Sequence, residues 1–265
     1  GGPMDSAGTF AAMELRLDKK TAIVTGGSAG IGLAIAEEFV NAGANVMIVS
    51  RKADKCEAAA QYLTSLGGGH VEWRAHHTGG VDGGVEVMDA TIDRFGSIDI
   101  LVNTAATNPH AGPIIDADAS AFDKTYEVNL RGPLLWTQSA WRAWMKENGG
   151  CVINIASVGA FKTSAALGLY SILKAALVQM TEQMAAELGP GVRVNSLAPS
   201  VVKTDFARLL WEGEAGDQFA QRMPLKRLGE PSDVGRAALF LAADAQWMTG
   251  NCIVLDGGSL VSFSS

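Results

Sequence analysis

Cysteine is scarce: Cys56, Cys151 and Cys252 are the only three in 265 residues, and no two of them form a CxxC. An odd, scattered count with no signal peptide points to a reducing compartment, the cytoplasm. Cys151 and Cys252 each open an apolar β-rich run, where a thiol acts as a small buried hydrophobe. Long apolar runs are missing too, with none approaching the roughly 20 residues that cross a bilayer, so a membrane-spanning protein is excluded. Basic residues are outnumbered, 21 against 28 acidic ones, and the net charge of -7 argues against a nucleic-acid scaffold. Charged residues make up only 18% of the chain and hydrophobic ones 48%, which excludes a disordered polymer and leaves ample material for a core. Gly1-Gly2-Pro3 before Met4 reads as a cloning scar and residues 1–12 as a loose tail, leaving 13–265 as one domain.

Within that domain short apolar runs alternate with amphipathic stretches. The strands expected are Thr21–Thr25, Ala44–Ser50, Val71–Ala75, Ile98–Asn103, Cys151–Ala156, Arg193–Ala198 and Cys252–Leu255. Several are near-continuously apolar, which suits strands covered on both faces. Between them Gly30–Ala42 carries Ile31, Ala34, Ile35 and Phe39 at helical spacing, with Gly43 as its terminating glycine. Ser232–Ala243 is a second helix, with Ser232 as its cap. The alternation predicts an α/β fold: one Rossmann-type, doubly wound parallel sheet of about seven strands with helices on both faces. Pro199–Pro224 is the least regular stretch and reads as a lid.

The first strand runs directly into Thr25-Gly26-Gly27-Ser28-Ala29-Gly30-Ile31-Gly32, where the next helix begins. Unpaired N–H groups at a helix N-terminus hold a diphosphate, and glycines let the backbone approach it. Between a strand and a helix, this pattern points to dinucleotide binding. The second strand ends in Ser50-Arg51-Lys52, with no carboxylate to accept from a ribose 2′-hydroxyl. Arg51 can fork onto a 2′-phosphate and Lys52 adds a charge, so NADP(H) is favoured, with NAD(H) the alternative.

Tyr170 and Lys174 lie four residues apart on one face of a helix over Leu169–Leu188. Ser157 follows the fifth strand at the edge where open α/β sheets bind ligands. With the glycine turn, these residues resemble the short-chain dehydrogenase/reductase superfamily, from about Leu17 to Gly258. Also matching are Asn129 in Val128-Asn129-Leu130, Arg193-Val194-Asn195 and the closing Asp256-Gly257-Gly258. The likeness implies a catalytic set of Asn129, Ser157, Tyr170 and Lys174. Tyr170 would exchange the proton, Ser157 would bind the substrate oxygen, and Lys174 would hold the nicotinamide ribose and lower the tyrosine pKa. Asn129 would support a proton-relay water. The cofactor would touch Gly26, Ser28, Gly30, Ile31, Gly32, Arg51, Lys52, His77, Thr78, Asn103, Ala105, Tyr170, Lys174, Val202 and Thr204.

Three departures from the family pattern stand out: Asn103-Thr104-Ala105-Ala106 in place of NNAG, His77 where an aspartate is usual, and Ser200 after Pro199 in place of glycine. No metal is expected, because the adjacent His76 and His77 point to opposite sides of a strand end and no further ligand lies near. The overall pattern is similar to 3-oxoacyl-[acyl-carrier-protein] reductases, so a carbonyl or secondary alcohol is the expected substrate, first a 3-oxoacyl thioester. Arg131, Arg142 and Lys146 are candidates for carrier-protein docking. Ile114, Ile115, Phe161, Leu167 and Trp211 are candidates for an apolar pocket. Two rival readings are an NAD-dependent secondary-alcohol or hydroxysteroid-type dehydrogenase and a non-catalytic dinucleotide-binding regulator. The resemblance further implies a homotetramer formed through helices at about Ala117–Lys146 and Leu169–Leu188.

Overall fold

A computed structural model describes residues 14–261; the expected tail at 1–12 lies outside the described residues. Seven parallel strands form one sheet: β1 (Thr21–Thr25), β2 (Asn45–Ser50), β3 (Val71–Ala75), β4 (Ile100–Asn103), β5 (Gly150–Ile155), β6 (Val192–Pro199) and β7 (Cys252–Leu255), in the order β3-β2-β1-β4-β5-β6-β7. The helices are α1 (Gly30–Asn41), α2 (Ala53–Ser65), α3 (Val85–Phe95), α4 (Ala119–Tyr126), α5 (Gly132–Ala140), α6 (Lys146–Asn148), α7 (Gly168–Leu188), α8 (Arg208–Trp211), α9 (Glu214–Arg222) and α10 (Pro231–Ala243). The expected strands are all present, each within two residues of its expected ends. Among the described residues no helix is long and apolar enough to cross a membrane.

The near-continuous apolar runs are explained by two cores, one on each face of the sheet. Alternate residues of a strand point to opposite faces. Ala22, Val24, Ile48, Val102 and Ile153 pack with Ile35 and Phe39 of α1 and Leu241 of α10. Their neighbours Met47, Ile23, Leu101, Val152 and Val194 form one row across the sheet in register. That row packs beneath Met88 of α3, Trp136 and Ala140 of α5, and Met184 of α7.

Two helix ends show how local sequence sets the boundaries. Gly43 takes φ +91° just past the end of α1 and donates its N–H to Val40 O, as its position in the sequence predicts. The cap of α10 is not Ser232. Pro231 takes the first helical position, where its missing N–H costs nothing, so the cap moves back to Glu230. Asp233 Oδ2 then accepts the Glu230 N–H at 2.9 Å.

The expected helix at about Ala117–Lys146 is present as a continuous helical run over 119–148, with two wider turns inside it. Asp118 caps α4 by accepting the Ala121 N–H, and wider π-turns at Glu127–Arg131 and Trp141–Met145 separate α4, α5 and α6. Pro133 accounts for the first of these turns, because it has no N–H for the carbonyl of Asn129 four residues back. Gly132 N–H instead reaches Glu127 O, five residues back.

The second core is closed at the C-terminal edge of the strands by a buried polar chain. Asn103 Nδ2 donates to Asn154 Oδ1 at 2.9 Å, and Asn154 Nδ2 donates to Thr181 Oγ1 at 2.9 Å. Thr181 Oγ1 in turn donates to Leu177 O at 2.8 Å. Asn154→Ala leaves Asn103 without its best acceptor and opens a gap. We expect a loss of about 2–3 kcal/mol, read as a melting temperature lower by roughly 5–10 °C. An unchanged melt would show that the chain contributes nothing to stability.

Candidate functional site

The strand order places a crevice at the ends of β1 and β4, where the chain switches from building leftward to building rightward. Thr25 Oγ1 donates to Val102 O and accepts from the Thr104 and Ala105 N–H groups, fixing the loop after β4 against the glycine turn. A Cβ on Gly26, whose φ is +67°, would lie 3.0 Å from Ala105 N. One on Gly32 would meet Gly26 O at 2.3 Å. The turn is therefore closed as tightly as glycine permits.

The start of α1 fits an anionic ligand. Its cap, Ala29, makes no side-chain hydrogen bond, and the first turn carries no acidic residue. The first N–H groups are left for a ligand, at the positive end of the helix dipole. Ser28, Gly30 and Ile31 are half-buried around this opening. Gly30, with φ +55°, faces Thr204, whose Cγ2 would be 3.1 Å from an added Cβ. Val202, buried, and Thr204 thus close the opposite wall of the same crevice. The residues present fit a dinucleotide.

Arg51 and Lys52 are exposed at the end of β2. His77, past β3, lies with its Nε2 3.3 Å from Lys124 Nζ, while His76 Nε2 lies 3.1 Å from Asp82 Oδ2. The two rings serve different partners. Among the described residues no set of three His, Cys, Asp or Glu is placed to hold a metal. Thr78 is buried and its carbonyl accepts from Trp136 Nε1 at 3.1 Å. Asn103 sits at the crevice, but its side chain is committed to Asn154, so it is the backbone of this residue that faces the opening.

The candidate proton-transfer residues come from the end of β5 and from α7. Ser157 Oγ accepts the Gly159 N–H at 3.1 Å. A Cβ on Gly159 would lie 3.4 Å from Ser157 Oγ and 2.6 Å from Ser171 Oγ, so this glycine lets the serine turn pack against the start of α7. Lys174 is buried, donates to Ile155 O at 2.5 Å and sits 5.5 Å from the centre of the Tyr170 ring. Asn129 is fully buried and its amide clamps Thr107, accepting from its N–H at 2.8 Å and donating to its carbonyl at 2.9 Å. The π-turn that carries Asn129 packs on α7. With Pro133 beyond it, the Asn129 carbonyl has no N–H donor four residues on.

The Lys174 ammonium turns its hydrogen bond to Ile155 O rather than to the phenol. Burial pushes the Tyr170 phenol up, because the phenolate is poorly solvated there. The same burial pushes the Lys174 ammonium down to about 7.

The lid contributes one of its bulky apolar residues to the site. Phe206 packs its ring 6.2 Å from that of Tyr170. Trp211 Nε1 donates to Thr204 O at 2.8 Å and so latches the base of the lid. The expected apolar pocket is only partly assembled. Gly112 bridges to Leu167, and Ile114 reaches Gly168, forming one rim of the Tyr170 site. Ile115 instead stands in solvent, 89% exposed. Trp211 turns to a cavity of about 490 Å³ lined by Lys203, Asp217, Lys226 and Arg227. Cys151 is buried as expected and Cys56 is buried too, whereas Cys252, also expected to be buried, is only half-buried on the edge strand.

The family model described as Enoyl-(Acyl carrier protein) reductase matches residues 26–259. A human relative, Dehydrogenase/reductase SDR family member 4, is 36% identical over 246 residues, covering 92% of this chain and 88% of the relative. A short-chain type dehydrogenase/reductase from Mycobacterium ulcerans superposes with a TM-score of 0.89 at 34% identity, over 94% of this chain and 92% of that one. A 7α-hydroxysteroid dehydrogenase solved with NADH and a 7-oxo bile acid conjugate superposes with a TM-score of 0.88 at 32% identity, over 94% and 98% of the two chains.

Proposed function

The chain belongs to the short-chain dehydrogenase/reductase family and is an oxidoreductase; from that premise we propose that it uses NADP(H) to reduce a carbonyl, first a 3-oxoacyl thioester, with Tyr170 as general acid. The observation that carries this reading is the half-buried Tyr170 over the buried Lys174, near Ser157 and opposite an uncapped helix start. The nicotinamide, when bound, supplies or accepts the hydride.

The chain's own residues do the rest. The turn from Gly26 to Gly32 and the N–H groups of α1 bind the diphosphate. Val202 and Thr204 wall the nicotinamide end, and Lys174 holds the ribose hydroxyls. Ser157 Oγ donates to the substrate oxygen as charge grows on it. Tyr170 delivers the proton, and Lys174 with the water on Asn129 O restores it. Phe206 shields the phenol from solvent.

Arg51 and Lys52 support NADP(H), because no carboxylate stands beside them to accept from a 2′-hydroxyl. Arg51→Ala is expected to weaken NADPH about 30-fold and NADH no more than about threefold, in fluorescence titrations. Equal losses would remove Arg51 from phosphate recognition. The test of the reaction itself is a set of ketones and 3-oxoacyl thioesters assayed by loss of reduced-cofactor absorbance. Turnover of none of them would overturn the substrate assignment.

Free thioesters suit the surface better than a docked carrier protein. Arg131 is spent on Gly79 O, and Lys146 lies over the Trp141 ring. The steroid dehydrogenase likeness and the exposed Phe206 ring favour a second reading, a hydroxysteroid or other secondary-alcohol dehydrogenase using NAD(H). A homotetramer and a cytoplasmic setting belong to the same proposal. The exposed apolar Phe122, Tyr126 and Ile172 on α4 and α7 support the first, and three unpaired thiols suit the second.

A further inference from the structure

The turn that carries Phe206 to the Tyr170 ring is fastened at both ends. Before it, the Lys203 N–H donates to Gly229 O and the Gly229 N–H to Val201 O, each at 3.0 Å, and Lys203 Nζ pairs with Glu230 at 2.6 Å. Thr204 turns its methyl toward Gly30 at the start of α1. Its Oγ1 accepts the Ala207 N–H at 3.3 Å, which winds Asp205–Ala207 into a single 3-10 turn. After it, Trp211 reaches back seven residues and donates its indole N–H to Thr204 O at 2.8 Å. Arg208 and Glu212, paired through contacts of 2.9 and 2.6 Å, brace the short helix α8 that presents the indole.

Phe206 is itself 59% exposed, so its ring stays 6.2 Å from that of Tyr170 because its turn is held, not because a core surrounds it. What the ring displaces from Tyr170 is water. Burial is what raises the phenol above its ordinary pKa. The charged groups around it are spent elsewhere. Lys174 of α7 donates to Ile155 O, Asp205 acts on Arg208, and Arg208 is paired with Glu212. On α4 and the π-turn, which also pack against α7, Lys124, Glu127 and Arg131 pair among themselves. We propose that Trp211 is a positioning residue for the proton transfer: by holding Thr204 O it keeps Phe206 over Tyr170 and water off the phenol. This rests on the reading above that Tyr170 exchanges the proton.

The test is the pH profile of alcohol oxidation at saturating NADP+ or NAD+, with the N-acetylcysteamine thioester of 3-hydroxybutyrate and cyclohexanol as probes. For a probe that is turned over, the rate climbs with pH and levels off where the phenol ionises. Trp211→Phe keeps a ring but loses the N–H, so water regains the phenol and that break should fall by about one pH unit. Phe206→Leu should lower it by about as much. Leu209→Ala, on the same short helix with Leu209 95% exposed, should leave it in place. A purely structural role for Trp211 would lower the rate at every pH and leave the break where it is. If the break is unmoved in Trp211→Phe or in Phe206→Leu while Tyr170→Phe abolishes turnover, this proposal falls and the role of Tyr170 stands. If Tyr170→Phe keeps its turnover, or neither alcohol is oxidised, both fall. Phe206 lies outside the core, so Phe206→Leu keeps the test decisive should Trp211→Phe fail to fold.

Discussion

Tyr170→Phe is expected to lower turnover about 1,000-fold, the scale of a lost general acid, while NADPH affinity changes by less than about twofold. The phenol ring packs against Phe206 and over Lys174, and both contacts survive in phenylalanine. Only the proton is lost. The pH dependence follows from the raised pKa of Tyr170. A phenol held above its ordinary value stays protonated across the neutral range, so reduction should not climb with pH between about 6 and 8, and should fall as Lys174, near 7, loses the proton that resupplies it. Oxidation needs the phenolate, whose fraction rises about tenfold per pH unit below the pKa, so oxidation should climb steeply with pH. Rates in both directions across that range check the assignment. Retained turnover in Tyr170→Phe, or a reduction rate that climbs with pH as steeply as oxidation, would remove Tyr170 from the acid role.

Gly32→Ala is expected to weaken both nucleotides about 100-fold and to lower the melting temperature by several degrees. The added methyl would sit 2.3 Å from Gly26 O and 2.7 Å from Gly26 C, both backbone atoms that cannot rotate aside. Either the first turn of α1 unwinds or the glycine turn moves off Ala105, and in both cases the N–H groups lose their common focus. Titration calorimetry together with a thermal melt separates this from Tyr170→Phe, which should leave binding intact. Full nucleotide affinity in Gly32→Ala would mean that the turn has slack the structure does not show.

The sheet was legible because its strands are covered on both faces, so Ala22–Val24 and Val46–Val49 are apolar without interruption. α2 is harder to see in the sequence. Its buried stripe is Cys56, Ala59, Ala60 and Leu63, too small in side-chain volume to stand out from an otherwise charged segment. Tyr170 and Lys174 were legible as a pair because helical spacing alone puts them on one face. The direction of Lys174 was not, since its carbonyl partner, Ile155, comes from a strand 19 residues earlier. Asn129 was recognised, but its grip on Thr107 depends on a contact across 22 residues. Lys124 had no local signature at all, and Phe206 showed only as a bulky apolar residue of the lid. Pro133 was a signal that could have been read, because a proline inside a long helical pattern widens a turn.

That wider turn has a geometric consequence. Each residue of an α-helix turns the chain by about 100°, so the surplus residue in the wide turn at Glu127–Arg131 acts as a phase shifter. Upstream of it, Thr125 is buried in the α4 region; downstream, Trp136 is buried beneath the sheet. A single-residue deletion there would leave the two halves in one continuous spiral and swing one of these side chains out into water. The spacing between the site's asparagine and the tryptophan that anchors it is thus set by a count, and no substitution could compensate for losing a member of it.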